Sequence, residues 1–174
     1  MSLVRQKFHE ECEAAINRQI NNELTTAYLY MALSAHFKDV QSHTFAYRAF
    51  REASHEKFQH AETLIDYQNR RGGRVLFHNI SSCPDVPPDA SIQQGLELAL
   101  GHQKRMNTSL QQLHAIADKH GDNQMTDFIE TDYLDRQVKT IKNLGDKLQN
   151  SQRVSTGLGE YLFDEISFRK DRLN

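Results

Sequence analysis

The sequence predicts an all-α protein: a bundle of four long helices with one long crossover and a short fifth helix at the C-terminus. Three observations predict it. Apolar residues recur at spacings of three, four or seven along four long windows, which is the repeat of one helix face. Helix breakers are scarce, with 8 Gly and 3 Pro in 174 residues, which favours long helices over a sandwich of short strands. One link between windows holds all the prolines and is too long for a turn between antiparallel neighbours.

Residues 10–37 read as the first helix, with Ile16, Ile20, Ala27 and Ser34 on one face. Lys38 to Ser42 is a short polar connection. Residues 43–71 read as the second helix, striped by Ala46, Phe50, Ala53, Ala61 and Leu64. Gly72 and Gly73 end it, because glycine readily takes the left-handed C-terminal cap. Arg74 leads into a short apolar run, Val75 to Phe77, which opens the link ending near Ala90. Pro84, Pro87 and Pro88 forbid regular helix there. A link of this length crosses the bundle end to end. Ser91 is the expected N-cap of the third helix, whose stripe is Leu96, Ala99, Met106, Leu110, Leu113 and Ala117. Gly121 breaks it. Asp122 or Asn123 starts the fourth helix, with Leu134, Ile141, Leu144 and Leu148 on one face. Ser151 to Gly157 is a second break, and a short apolar helix, Leu158 to Phe168, follows. That tail does not fit a minimal bundle, so it is expected to pack on something else. No repeat, low-complexity segment or second domain is visible, so 1–174 reads as a single domain.

Charge and composition exclude several classes. A formal net charge of -2, from 21 basic and 23 acidic residues, offers neither the basic excess of a nucleic-acid binder nor an acidic tail. The segment MSLVRQKFHEEC lacks the apolar core of a signal peptide, and no window has the unbroken apolar length of a membrane span. Cys12 and Cys83 fit no disulfide framework or cysteine-rich metal site. A reducing cytoplasm is the expected compartment.

Each of the four stripes is interrupted by polar residues near its middle. Glu23 lies between Ile20 and Ala27, with Tyr30 one heptad on; Lys57 and His60 lie between Ala53 and Leu64; Gln103 lies between Ala99 and Met106; Gln137 lies between Leu134 and Ile141. An unpaired buried polar group costs roughly 2–7 kcal/mol, so one intrusion per helix at similar depth implies a shared polar layer. Two readings fit. One is a satisfied hydrogen-bond layer or positions turned partly to solvent. The other is a metal site inside the bundle, for which carboxylate and imidazole are suitable ligands. Where a bundle-core metal site has Glu-x-x-His, this chain has Lys57-Phe58-Gln59-His60. An ammonium has no lone pair and repels cations, so this would be a metal site with too few anions.

At the level of whole segments the chain resembles an animal ferritin. The resemblance rests on VRQKFHEECEAAINRQI at the start, INNELTTAYLY (20–30), HAETLIDYQNRRGGR (60–74), DFIETDYLDRQVKTIKNLGD (127–146) and GLGEYLF (157–163), and it covers essentially the whole chain. It implies a ferritin-like bundle and an iron-storing cage of twenty-four subunits with ferric mineral inside. Heavy-type subunits of the family oxidise iron at a di-iron centre. Carried onto this chain, that centre falls on Glu23, Tyr30, Lys57, His60, Gln103 and Gln137. Glu23, Tyr30, His60 and Gln137 agree with the family pattern. Lys57 and Gln103 stand where glutamates are expected, so two of three carboxylates are gone. Light-type subunits also have lysine at position 57, whereas His60 is a heavy-type feature. The chain resembles a mosaic closer in site chemistry to the light type, with no catalytic residue expected, and a Lys57–Glu23 ion pair would occupy the metal position.

The resemblance implies further sites for iron. Glu56, Gln59 and Glu62 match positions that face the cavity and help nucleate mineral, although one acid has become Gln59 and Arg136 also replaces an acid. Without the cage they read as a solvated face. Asp127 and Glu130 match a carboxylate ring at a three-fold pore, with His114 nearby and Thr126 in place of a frequent cysteine; their alternative is helix-dipole stabilisation, roughly 0.3–1 kcal/mol each. Leu158, Leu162 and Ile166 would line an apolar four-fold channel. The other histidines, His9, His36, His43, His55, His78, His102 and His120, read as surface or structural, with adventitious metal binding at some.

The leading expectation is an iron-storage subunit, partnered by identical chains, alone or alongside heavy-type subunits, with iron as the bound species. The alternative is an active ferroxidase using a modified or single-iron centre. A structural or signalling bundle with cytokine-like topology is disfavoured by the N-terminal sequence and the acidic pore motif.

Overall fold

The computed structural model describes residues 3–39, 43–80, 86–155 and 157–169. Among them every regular element is helical. Helices α1 (Glu10–Asp39), α2 (Thr44–Arg70) and α3 (Ile92–Lys119) are unbroken. The fourth long helix is built in three pieces: α4 (Asn123–Ile129), a π-helical segment Glu130–Leu134, and α5 (Asp135–Ser151). Helix α6 (Leu158–Phe163) continues into a second π-helical segment, Asp164–Phe168. The connection residues 40–42, together with Cys83 and Pro84, lie outside the described residues. No helix among those described is long and apolar enough to cross a membrane.

The helix ends follow local chemistry. Gly72 takes φ +73, and a Cβ there would meet the Arg5 backbone nitrogen at 2.7 Å, so both conformation and space require glycine. Ser91 caps α3 in a reciprocal box with Gln94. Gly121 takes φ +64, and the Asp122 side chain then accepts from Met125 N at 3.1 Å to start α4. Residues 74–79, at the start of the crossover, are held along α1. Asn17 donates to Arg74 O and accepts from Leu76 N, each at 3.0 Å, and Asn21 donates to His78 O and Asn79 O at 3.2 Å. These side chains complete backbone groups that no helix would satisfy.

Two expectations need correction. The fourth helix is not continuous, and Leu134, Ile141, Leu144 and Leu148 are half-buried rather than a buried stripe. A π turn inserts a residue and shifts the face presented beyond it; here it places Tyr133 in the core against Phe128, with its hydroxyl donating to His60 O at 2.8 Å. The tail, for its part, is docked on its own bundle. Phe163 and Phe168 join the core around Phe50. Asp164 accepts from Ala46 N (2.6 Å) and Phe45 N (3.2 Å), and Glu160 accepts from Ile92 N (2.9 Å). Two tail carboxylates thus cap the N-termini of α2 and α3, where orphan N–H groups and the helix dipole favour negative charge. The opposite face of the tail, Leu158, Leu162 and Ile166, stays exposed.

Buried apolar residues form two clusters. One gathers Ile16, Ile20, Leu64, Leu110 and Ile129; the other gathers Leu33, Phe37, Phe50, Leu96 and Phe163. Between them lies the polar layer.

Candidate metal centre

Glu23 and Tyr30 come from α1, Lys57 and His60 from α2, Gln103 from α3 and Gln137 from α5. All but His60 belong to the buried set, with Glu23 and Gln103 at 0% exposure and Lys57 at 6%; the His60 side chain is 13% exposed. Glu23 Oε1 accepts from Gln19 Nε2 at 3.1 Å. Glu23 Oε2 faces Lys57 Nζ at 3.2 Å and His60 Nδ1 at 3.7 Å. Burial pushes the Glu23 carboxyl up, but the Lys57 ammonium and His60 outweigh it and hold the group below the usual carboxylate range. Lys57 thus stands against the carboxylate that a cation would use.

On the other side of the layer the amides satisfy one another. Gln137 Nε2 donates to Gln103 Oε1 (2.6 Å) and to Gln103 O (2.8 Å), and Gln103 Nε2 donates to Tyr30 Oη (2.5 Å). Burial raises the Tyr30 phenol far above its ordinary value, so it stays neutral. Gln103 Oε1, the atom that could coordinate in place of a carboxylate, already accepts a hydrogen bond. What remains are Glu23 Oε2 and both ring nitrogens of His60, which make no directed hydrogen bond. One carboxylate oxygen and one imidazole are a donor set for a single ion, and only if Lys57 moves. A cleft of about 320 Å³ between α2 and α5 opens onto these atoms and is also lined by Glu56 and Arg136.

Of the other predicted positions, only Glu56 reaches the rim of this layer. Glu56, Gln59 and Glu62 are exposed on α2, and Glu56 Oε1 lies 3.8 Å from His60 Nε2. Asp127 and Glu130 are exposed where α4 passes into the π segment, and His114 Nε2 lies 2.6 Å from Glu130 Oε1. The Glu160 and Asp164 caps carried no signal in the sequence, because their partners are 68 and 118 residues away. The same holds for His9, Glu11 and His120, whose possible ligand atoms lie within 4.8 Å of one another.

Residues 13–154 match the ferritin-like domain family. The chain is 45% identical over 170 residues to Ferritin-1 heavy chain of Schistosoma mansoni, covering 95% of each chain. It is 45% identical over 167 residues to Ferritin heavy chain of Echinococcus granulosus, again 95% of each. Soma ferritin of Lymnaea stagnalis is 42% identical over 167 residues, with 95% of each chain covered.

Proposed function

The chain belongs to the ferritin family and serves iron storage, and on that premise we propose that it is a cytoplasmic cage subunit whose own di-iron centre is incomplete. The observation that carries this is the Lys57 ammonium 3.2 Å from Glu23 at the bundle centre. Two ferrous ions bring four positive charges, and Glu23 is the one carboxylate in the buried layer. Gln103 brings an amide oxygen already engaged by Gln137. Iron oxidation is therefore slow at this centre, and the subunit contributes storage. Iron enters past Asp127, Glu130 and His114, whose charge concentrates cations at a pore. Mineral grows against Glu56, Gln59 and Glu62. The exposed Leu158, Leu162 and Ile166 of one subunit meet those of its neighbours in a cage of identical chains or of mixed light-like and heavy-type chains. Residues 1–174 act as one domain.

A second reading has one observation in its favour. Glu23 Oε2 and the His60 nitrogens make no directed hydrogen bond, and once Lys57 moves aside they could hold a single iron and sustain a modified ferroxidase reaction. Rapid-mixing absorbance separates the two readings through the variant Lys57→Glu/Gln103→Glu. With Glu23, Tyr30, His60 and Gln137 already present, the double variant gains a fast oxidation phase, and Lys57→Glu alone recovers part of it. A double variant no faster than the unmodified protein would show that these two residues do not limit the centre.

A further inference from the structure

The start of α1 and the end of α3 meet at one end of the bundle, opposite the tail helix. His9 immediately precedes α1, Glu11 lies in its first turn, and His120 caps the C-terminal end of α3. The His9 and His120 rings stack with centroids 3.6 Å apart and planes within 13°. His120 Nε2 lies 2.9 Å from Glu11 Oε2. His9 Nδ1 accepts the Glu11 backbone N–H at 3.1 Å, which holds its ring beside the carboxylate. One ligand atom from each of the three residues lies within 4.8 Å of the others. None of them belongs to the bundle centre or to the acidic pair Asp127 and Glu130.

We propose that His9, Glu11 and His120 form a surface site for a divalent transition-metal ion that ties the start of α1 to the end of α3. Two imidazole nitrogens and one carboxylate oxygen are the donor set of zinc, copper, nickel, cobalt and ferrous iron. Magnesium and calcium prefer oxygen ligands throughout. The ring stack, and the hydrogen bond that His9 Nδ1 accepts, hold both imidazoles beside the carboxylate.

Lys119 completes the argument. Its Nζ lies 2.8 Å from Glu11 Oε2, and its side chain is 62% exposed. It acts as the counter-ion when no metal is present. A dication displaces it, and an exposed lysine swings into water at little cost.

Calorimetric titration of the iron-free, full-length protein with Zn²⁺ tests this, and comparison among variants separates this site from zinc bound at the pore or at the bundle centre. His9→Ala/His120→Ala should lose one zinc site per subunit relative to the unmodified chain, whereas Asp127→Ala/Glu130→Ala should keep that site. Glu11→Gln, which leaves both rings in place, should weaken it. Lys119→Ala should tighten it, on the order of threefold, by removing a competing exposed charge. The substituted side chains are exposed or half-buried, and circular dichroism checks that each variant folds. Cu²⁺ electron paramagnetic resonance gives an independent readout, with a two-nitrogen signature lost in the double histidine variant. Zinc stoichiometry, zinc affinity and copper spectra unchanged by the double histidine substitution would overturn the proposal.

Discussion

Replacing Lys57 by methionine isolates the buried ion pair. The side chains have similar length, so the change removes charge with little change in packing. Glu23 is wholly buried and Lys57 is 6% exposed, with Nζ 3.2 Å from Oε2. At an effective dielectric of about 20, that distance corresponds to an attraction of about 5 kcal/mol, most of which offsets desolvation. Removing one partner leaves the desolvation of Glu23 uncompensated and should cost roughly 3–5 kcal/mol. For a chain of this size that lowers the apparent Tm by about 6–20 °C. The pH dependence gives a second signature. Glu23 has a folded pKa below its ordinary 4.5, so the pair's contribution is present above about pH 4.5 and is lost as pH falls through the folded value. In Lys57→Met the largest cause that lowers the Glu23 pKa is gone while burial remains, so its pKa rises and it binds a proton more readily when folded. The loss of stability is therefore largest near pH 7 and shrinks towards pH 5. Thermal unfolding at one fixed scan rate, compared at pH 7 and pH 5, measures both. A Tm within about 2 °C of the unmodified protein at both pH values, a shift worth under about 1 kcal/mol, would refute the reasoning.

Asp164→Ala removes the carboxylate that caps α2 and should cost about 1–2 kcal/mol; limited proteolysis should then cut more readily in the segment before α6, and unchanged cleavage would mean that the tail is held by its phenylalanines alone. Asp127→Ala/Glu130→Ala should slow iron uptake, read as mineral absorbance, while leaving the helical circular dichroism intact; unchanged uptake would place the entry route elsewhere. The purified chain of 20.1 kDa should elute as a particle of several hundred kDa at neutral pH, and elution as a monomer or dimer would refute the cage.

Much of the fold was legible because its determinants are local. Gly72, Ser91, Gly121 and Asp122 act within a few residues of themselves, and each ends or starts a helix where spacing placed the boundary. The depth of Glu23, Lys57 and Gln103 was legible from the interruption of apolar stripes, since helical periodicity reports which face is buried; Gln137 is buried although the stripe it interrupts is only half-buried. What was not legible depends on contacts distant in sequence. The π segment at Glu130–Leu134 is stabilised where Tyr133 reaches the His60 carbonyl, 73 residues away, and apolar spacing alone does not show an inserted residue. The capping role of Asp164 depends on the tail folding back onto α2. Lys57 on Glu23, and Gln103 on Gln137 and Tyr30, are distances rather than patterns; the sequence supplied the residue types but not which atoms were already engaged.

The central claim is that the bundle centre is occupied by its own ion pair and amide chain, so this chain stores iron without oxidising it quickly. Rapid mixing of the unmodified, iron-free homopolymer with two ferrous ions per subunit in aerobic buffer tests it most directly. The account predicts a slow, single rise in ferric absorbance with no early phase saturating at that ratio. A fast burst that saturates at two irons per subunit would contradict it, because Lys57 would then have to leave Glu23 faster than iron is oxidised.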